Sequence, residues 1–197
     1  MLLLLGACAA PHPRPHSRAS PTQLWQARQS VLKAMSHWGV SGRLAVKQGR
    51  KAGQAHIIAC WHADGTYSLE FLSLFGQLLA RLEAAPGAVT LYLSGGRRFR
   101  AHDPDQLLQA QLGWSVPLQG LASWIRGLPV VGRPAVRELD QAGRITRLNQ
   151  QGWLITYPRY QVVKSVDMPQ KLDFRRQDLH LQLVVDRWLK GAQCSSR

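Results

Sequence analysis

Three side chains at alternate positions, His56, Cys60 and His62, carry donor atoms of the kind that bind transition metals. All three fall on one face if residues 56–62 form a strand. Alternate strand side chains stand ~6.6 Å apart, long for two ligands of one ion. A half-buried strand face therefore explains the pattern better than a metal site. Asp103 and Asp105 form a second pair with the spacing of two acid–base carboxylates. Asp103 immediately precedes Pro104, however, and a carboxylate before a proline is a helix N-cap, with Asp105 a first-turn acid. No nucleophile elbow, His-Glu-x-x-His helix or glycine-rich phosphate loop occurs. Catalytic residues, metal ligands and cofactors are thus all expected to be absent.

Cys8 offers different chemistry. Leu5-Gly6-Ala7-Cys8 follows Met1-Leu2-Leu3-Leu4 and resembles a bacterial lipobox. In that pattern the thiol takes a diacylglycerol and the new amino terminus takes a further acyl chain. Residues 1–7 then form a signal peptide. They lack a basic region, and the apolar stretch is shorter than the usual 7–15 residues. A truncated signal or an upstream true start accounts for that. Residues 8–21 are expected to be the lipidated cysteine and a tether, since Pro11, Pro13, Pro15 and Pro21 favour extended chain over helix. Ala9 after the cysteine fits sorting to the outer membrane. Export permits a Cys60–Cys194 disulfide. Cys60 sits in an apolar strand and Cys194 in a polar tail, and two free thiols is the preferred reading.

The elements that position these residues are legible from periodicity. Thr22–Trp38 reads as an amphipathic helix with Leu24, Ala27, Val31, Met35 and Trp38 on one stripe and Arg28 and Lys33 off it. Thr22 is its expected N-cap and Gly39 its stop. Alternation then predicts strands with inward sets Tyr67/Leu69/Phe71, Leu78/Ala80/Leu82 and Val89/Leu91/Leu93. Two short helices follow. One starts at Asp103-Pro104 and stops near Gly113, and one runs from about Pro117 to Gly127. Strands resume at Pro134–Leu139, Arg144–Asn149, Trp153–Pro158, Lys171–Arg175 and Leu179–Trp188, the last with Leu179, Leu181, Leu183 and Val185 facing one way. Gly-containing turns about ten residues apart indicate an antiparallel meander. Some eleven curled strands would enclose more space than their side chains fill, with helices to cover the mouth. The domain is expected over residues 22–190, with a polar tail at 191–197.

The chain carries 25 Lys+Arg against 11 Asp+Glu, a formal net charge of +14. Eight positive charges precede Asp64, the first acidic residue. Such a balance points to nucleic acid or an anionic membrane surface. No run of five or six basic residues marks a nucleic-acid-binding tail, and an export signal argues against one. A solvated surface in an Arg-favouring organism also accounts for the charge. Arg14, Arg18, Arg28 and Lys33 are the candidates for facing anionic lipid, and others for meeting an acidic carrier patch.

An ordered series of motifs carries a family resemblance. Trp38-Gly39-Val40-Ser41-Gly42-Arg43-Leu44-Ala45-Val46 resembles the start of the LolB outer-membrane lipoprotein receptors. Trp61, Gly65 and Tyr67, Phe75-Gly76, Pro86-Gly87, Val116-Pro117-Leu118 with Leu121, Trp124 and Gly127, Gly143-Arg144, Gln151-Gly152-Trp153, Tyr157, Tyr160, Met168-Pro169 and Trp188 follow in order. The resemblance spans roughly residues 25–190. It implies a mainly β fold with some helix, an unclosed eleven-stranded antiparallel barrel with a helical lid over an apolar cavity. It implies a monomer, lipid-anchored to the outer membrane of a Gram-negative bacterium and facing the periplasm. Such a receptor accepts acylated lipoprotein cargo from a LolA-type periplasmic carrier and inserts it into the inner leaflet of the outer membrane. No nucleic acid takes part, and the covalent N-acyl and S-diacylglycerol groups are on Cys8. The insertion loop falls on Leu74, Phe75 and Gly76, with inward packing of Phe75 the alternative. The acyl-chain cavity candidates are Leu69, Phe71, Leu91, Trp114, Leu121, Trp124 and Ile125, with ordinary core the alternative for each. A lipid- or amphiphile-binding lipoprotein with no handover role, and an exported hydrolase, remain as other readings.

Overall fold

A computed structural model describes residues 19–113 and 118–194. Cys8, the tether to Arg18, and Trp114 lie outside the described residues.

Helix α1 (Pro21–Lys33) opens on a capping box. Gln23 N–H donates to Ser20 Oγ at 3.3 Å, and Ser20 N–H to Gln23 Oε1 at 2.8 Å. The cap is therefore Ser20, not Thr22. Pro21 has no N–H to satisfy and fits the first helical position, which moves the cap one residue before it. The helix also ends earlier than Trp38. That indole starts the first strand and stacks on Trp61, with ring centroids 4.4 Å apart. The inward stripe is Trp25, Arg28 and Leu32, with Arg28 partly buried and Met35 half-buried just beyond the helix. Leu24, Ala27 and Val31 face outward, with Val31 50% exposed. The indole decides the rotation, because Trp25 has the largest apolar area to bury and is fully buried. Arg28 is on the inward stripe. It donates to the Asp167 carbonyl and lies over the Tyr160 ring, where burial lowers its pKa, so it does not face solvent lipid.

Eleven strands follow, with α2 (Pro104–Leu112) and α3 (Leu118–Ile125) inserted after the sixth. They are β1 (Trp38–Gln48), β2 (Lys51–Trp61), β3 (Tyr67–Leu72), β4 (Leu78–Ala85), β5 (Ala88–Leu93), β6 (Arg98–Ala101), β7 (Ala135–Leu139), β8 (Ile145–Gln150), β9 (Trp153–Val163), β10 (Val166–Arg176) and β11 (Leu179–Lys190). All neighbours are antiparallel, in the order β6-β5-β4-β3-β2-β1-β11-β10-β9-β8-β7. β6 and β7 do not pair, so the barrel is unclosed. Leu179, Leu181, Leu183 and Val185 point inward as their alternation requires.

Three readings need correction. β9 and β10 form a hairpin extending to Lys164–Ser165, well past the predicted ends. Both turn residues take positive φ without being Gly or Asn, so the usual turn signal is missing. In β4 the inward set is Ala80, Leu82 and Ala84, while Leu78 is exposed. A register shift at Phe71/Leu72 turns Leu78 away from the interior. Finally, Cys60 and Cys194 form a disulfide. A 3-10 turn at Gly191–Cys194 folds this part of the tail back onto β2, where Cys194 is buried against Cys60 and Leu189. Gly39 makes room, since any side chain there would collide with the Ala59 carbonyl and both sulfurs. The same bond removes Cys60 from any metal site.

Candidate acyl-chain site

Helices α2 and α3 lie between β6 and β7. Asp103 caps α2, its Oδ1 accepting from Asp105 N at 2.8 Å and Gln106 N at 3.2 Å. Asp105 Oδ1 accepts from Leu118 N at 3.0 Å, which fastens the start of α3 to α2. Both carboxylates thus hold the helical insertion. Burial raises the Asp105 pKa despite that bond, and Asp103 repels its charge further. Tyr67 lies close enough to both carboxylates to feel them, and its phenol is pushed up to about 12, chiefly by burial.

Under these helices is an apolar cavity of about 260 Å³. Leu44, Val46, Ile57, Ala59 and Trp61 line it from β1 and β2, Leu69 and Phe71 from β3, and Leu79 and Ala80 from β4. Leu108, Leu118, Leu121 and Ile125 close it from the helices, and Phe174, Leu181 and Leu183 from the far wall. No charged side chain lines it, and Gln54 is its one polar residue apart from the Trp61 indole, among the described residues. Such a wall cannot transfer protons or hold an ion. It can remove alkyl surface from water, at about 0.8 kcal/mol per methylene.

Of the candidate residues, Leu69, Phe71, Leu121 and Ile125 stand on this wall. Leu91 and Trp124 do not. Both are fully buried in the packed core. Trp124 is held by two bonds, its Nε1 donating to Gln150 Oε1 at 2.9 Å and its carbonyl accepting from Tyr157 Oη at 2.9 Å. Gln150 was not foreseen as a structural residue. It also accepts from Val130 N at 2.8 Å and donates to the Val130 and Arg133 carbonyls at 3.0 and 3.1 Å. A glutamine buried at the end of a strand that also carries Thr146, Arg147 and Asn149 gave no sequence signal beyond its position. Arg126, also unforeseen, follows α3 and donates to the Leu32 carbonyl of α1 at 3.1 Å, over the Trp38 ring. Burial lowers its pKa.

The β3–β4 turn projects from one end of the barrel. Phe75 is 94% exposed and Leu74 63%, so Phe75 does not pack inward. Ser73 Oγ accepts from Phe75 N at 3.2 Å and Gln77 N at 3.1 Å, and Gly76 takes the left-handed conformation there. These bonds shape the tip without a proline. Leu78 and Leu79 continue the exposed apolar surface from the tip, and Leu79 also lines the cavity.

Residues 36–188 match the family model described as Outer membrane lipoprotein LolB. An outer-membrane lipoprotein LolB from Nitrosococcus oceani is 36% identical over 191 residues, covering 96% of this chain and 94% of that one. A protein of the same name from Pseudomonas paraeruginosa is 33% identical over 167 residues, covering 84% of this chain and 80% of that one. Among solved structures, a LolA superfamily protein from Nitrosomonas europaea superposes with a TM-score of 0.55 at 7% identity, covering 88% of this chain and 94% of that one. A DUF1329 family protein from Desulfovibrio piger gives 0.59 at 8% identity, covering 88% and 95%. These structural likenesses bear on fold alone.

Proposed function

The chain belongs to the LolB family of outer-membrane lipoproteins, and from that premise we propose that it accepts acylated lipoproteins from a LolA-type periplasmic carrier and places them in the inner leaflet of the outer membrane. Cys8 carries the acyl groups that anchor it, and it acts as a monomer without a chemical step. The observation that carries the reading is the uncharged apolar cavity beneath a two-helix cover. An apolar cavity of ~150 Å³ accepts benzene, so this one accepts roughly ten carbons of an alkyl chain by the same scale. Ten methylenes at ~0.8 kcal/mol give roughly 8 kcal/mol. That is enough to draw a chain from a weaker carrier and too little to hold it against burial in a bilayer. Longer chains require displacement of α2 and α3.

In this reading Phe75 and Leu74 enter the bilayer and release cargo there. The test mixes the chain with carrier bearing radiolabelled lipoprotein, then adds vesicles. Cargo is expected to move to the chain and onward. The Phe75→Glu variant is expected to accept cargo and fold normally while insertion falls at least tenfold. Normal insertion by that variant, or its failure to fold, removes the role of Phe75. Absence of any transfer from the carrier favours an amphiphile-binding lipoprotein without handover.

A further inference from the structure

The antiparallel order sends alternate turns to opposite ends of the barrel. The turns at 49–50, 73–77, 94–97, 151–152 and 177–178 share the end that bears Phe75. Cations gather there. Arg50 and Lys51 flank the β1–β2 turn, Arg97 and Arg98 the β5–β6 turn, and Arg175 and Arg176 close β10. All six are exposed, and none forms an ion pair among the described residues. Asp178 is the one acidic residue in those five turns. The opposite end carries Asp64, Asp140 and Asp167 together with Arg144 and Lys164. Six cations without an ion pair therefore stand at the end that bears the apolar tip, while others such as Lys33, Arg159 and Lys190 lie elsewhere.

We propose that this end is a docking surface for anionic phospholipid headgroups, with the cationic rim setting the depth and orientation at which Phe75 and Leu74 enter the bilayer. The proposal rests on the insertion reading above. Charge complementarity supplies the occupant. An apolar tip alone favours any bilayer, whereas a rim of unpaired Arg and Lys gains from negative headgroups within a Debye length. Arginine adds bidentate binding of phosphate. The geometry permits it from an anchored state. α1 begins at the opposite end, where Pro21 and Trp25 pack on Gly143. Twelve residues separate Cys8 from Pro21 and reach at most ~40 Å. Strands of eleven residues are ~37 Å long, so that length lets Cys8 reach the membrane on which the Phe75 end docks.

The test uses the full chain bearing Cys8→Ala, which removes the anchor, and vesicles of phosphatidylcholine with or without about one-third phosphatidylglycerol. Binding is expected to be at least tenfold tighter to the anionic vesicles, with the ratio falling steeply as salt rises. Reversing one pair, Arg97→Glu with Arg98→Glu or Arg50→Glu with Lys51→Glu, is expected to lower anionic binding by at least about 25-fold, from about fivefold for each cation lost, and to leave binding to phosphatidylcholine unchanged. Equal binding of the parent chain to both vesicles overturns the proposal, as does an anionic preference that survives both reversals. Reversed pairs that keep lipid binding but no longer take cargo from the carrier overturn it in favour of a carrier dock. Phe75→Glu separates the two readings. It is expected to lower binding to both vesicles while their ratio persists, and no change would count against the tip alone.

Discussion

The two halves of the sheet obey the same alternation and reach opposite results. Beneath α2 and α3, the strands β1 to β5 present Ala59, Ala80, Ile57, Leu69 and Phe71 toward the interior and leave a cavity. From β8 to β10 the interior is filled. Trp153, Ile155 and Tyr157 are buried with Trp124, and Phe174 on β10 marks the border with the cavity. Two features separate the halves. Small side chains on β2 and β4 leave volume that their neighbours do not reach. The filled half fastens Trp124 across its interior, with Gln150 bonded to the Trp124 indole and to the 130–133 segment. The rigid half also holds the end of α3, so the helical cover is pinned at Trp124 and Tyr157 and meets the hollow half elsewhere.

Truncation should separate the halves most sharply. Trp124→Ala is expected to cost about 3–5 kcal/mol, because it opens a new void and removes the indole bond to Gln150. Phe71→Ala borders space that is already empty and is expected to cost no more than about 2 kcal/mol. Urea denaturation of both variants checks the contrast, and equal losses would erase it. Filling gives a smaller effect of opposite sign. Ala80→Leu is expected to leave stability unchanged or raise it by about 1 kcal/mol, while uptake of a fluorescent alkyl probe falls. Unchanged uptake would place the alkyl chain elsewhere.

The weakest expected effect concerns pH. The folded Asp105 pKa is raised above its unfolded value. Its contribution is therefore fully present below the ordinary carboxylate range and lost as pH rises through the raised value. Asp105→Asn keeps an acceptor for Leu118 N and should flatten that dependence. Hydrogen exchange at Leu118 across mildly acid pH reports it, and an unchanged slope in the variant would exclude Asp105 as the source.

Much of this was readable from residue order. Alternation located the strands, and Asp103-Pro104 located α2. The family resemblance placed the projecting tip at Phe75 before Gly76. What escaped detection depended on long-range partners. The rotation of α1 is set by Trp25 finding a site on β7 and the β7–β8 turn, which no local stripe reveals. Cys194 reaches Cys60 only because the chain turns back after β11. Lys164–Ser165 makes a turn without turn residues, because two long paired strands impose it. At the site, Leu69 and Phe71 were recognisable as inward, but whether an inward residue meets a void or a tryptophan depends on the opposite wall. Leu91 and Leu69 have the same strand signal and opposite surroundings.

Alkyl chains are expected to enter the hollow half and not the filled one. A photo-reactive amino acid at Phe71, and separately at Leu139 of β7, tests this with acylated cargo supplied on the carrier. Crosslinking of the cargo's acyl chain is expected at position 71 and not at 139. Equal crosslinking at both positions, or none at 71 while cargo still transfers, would contradict it.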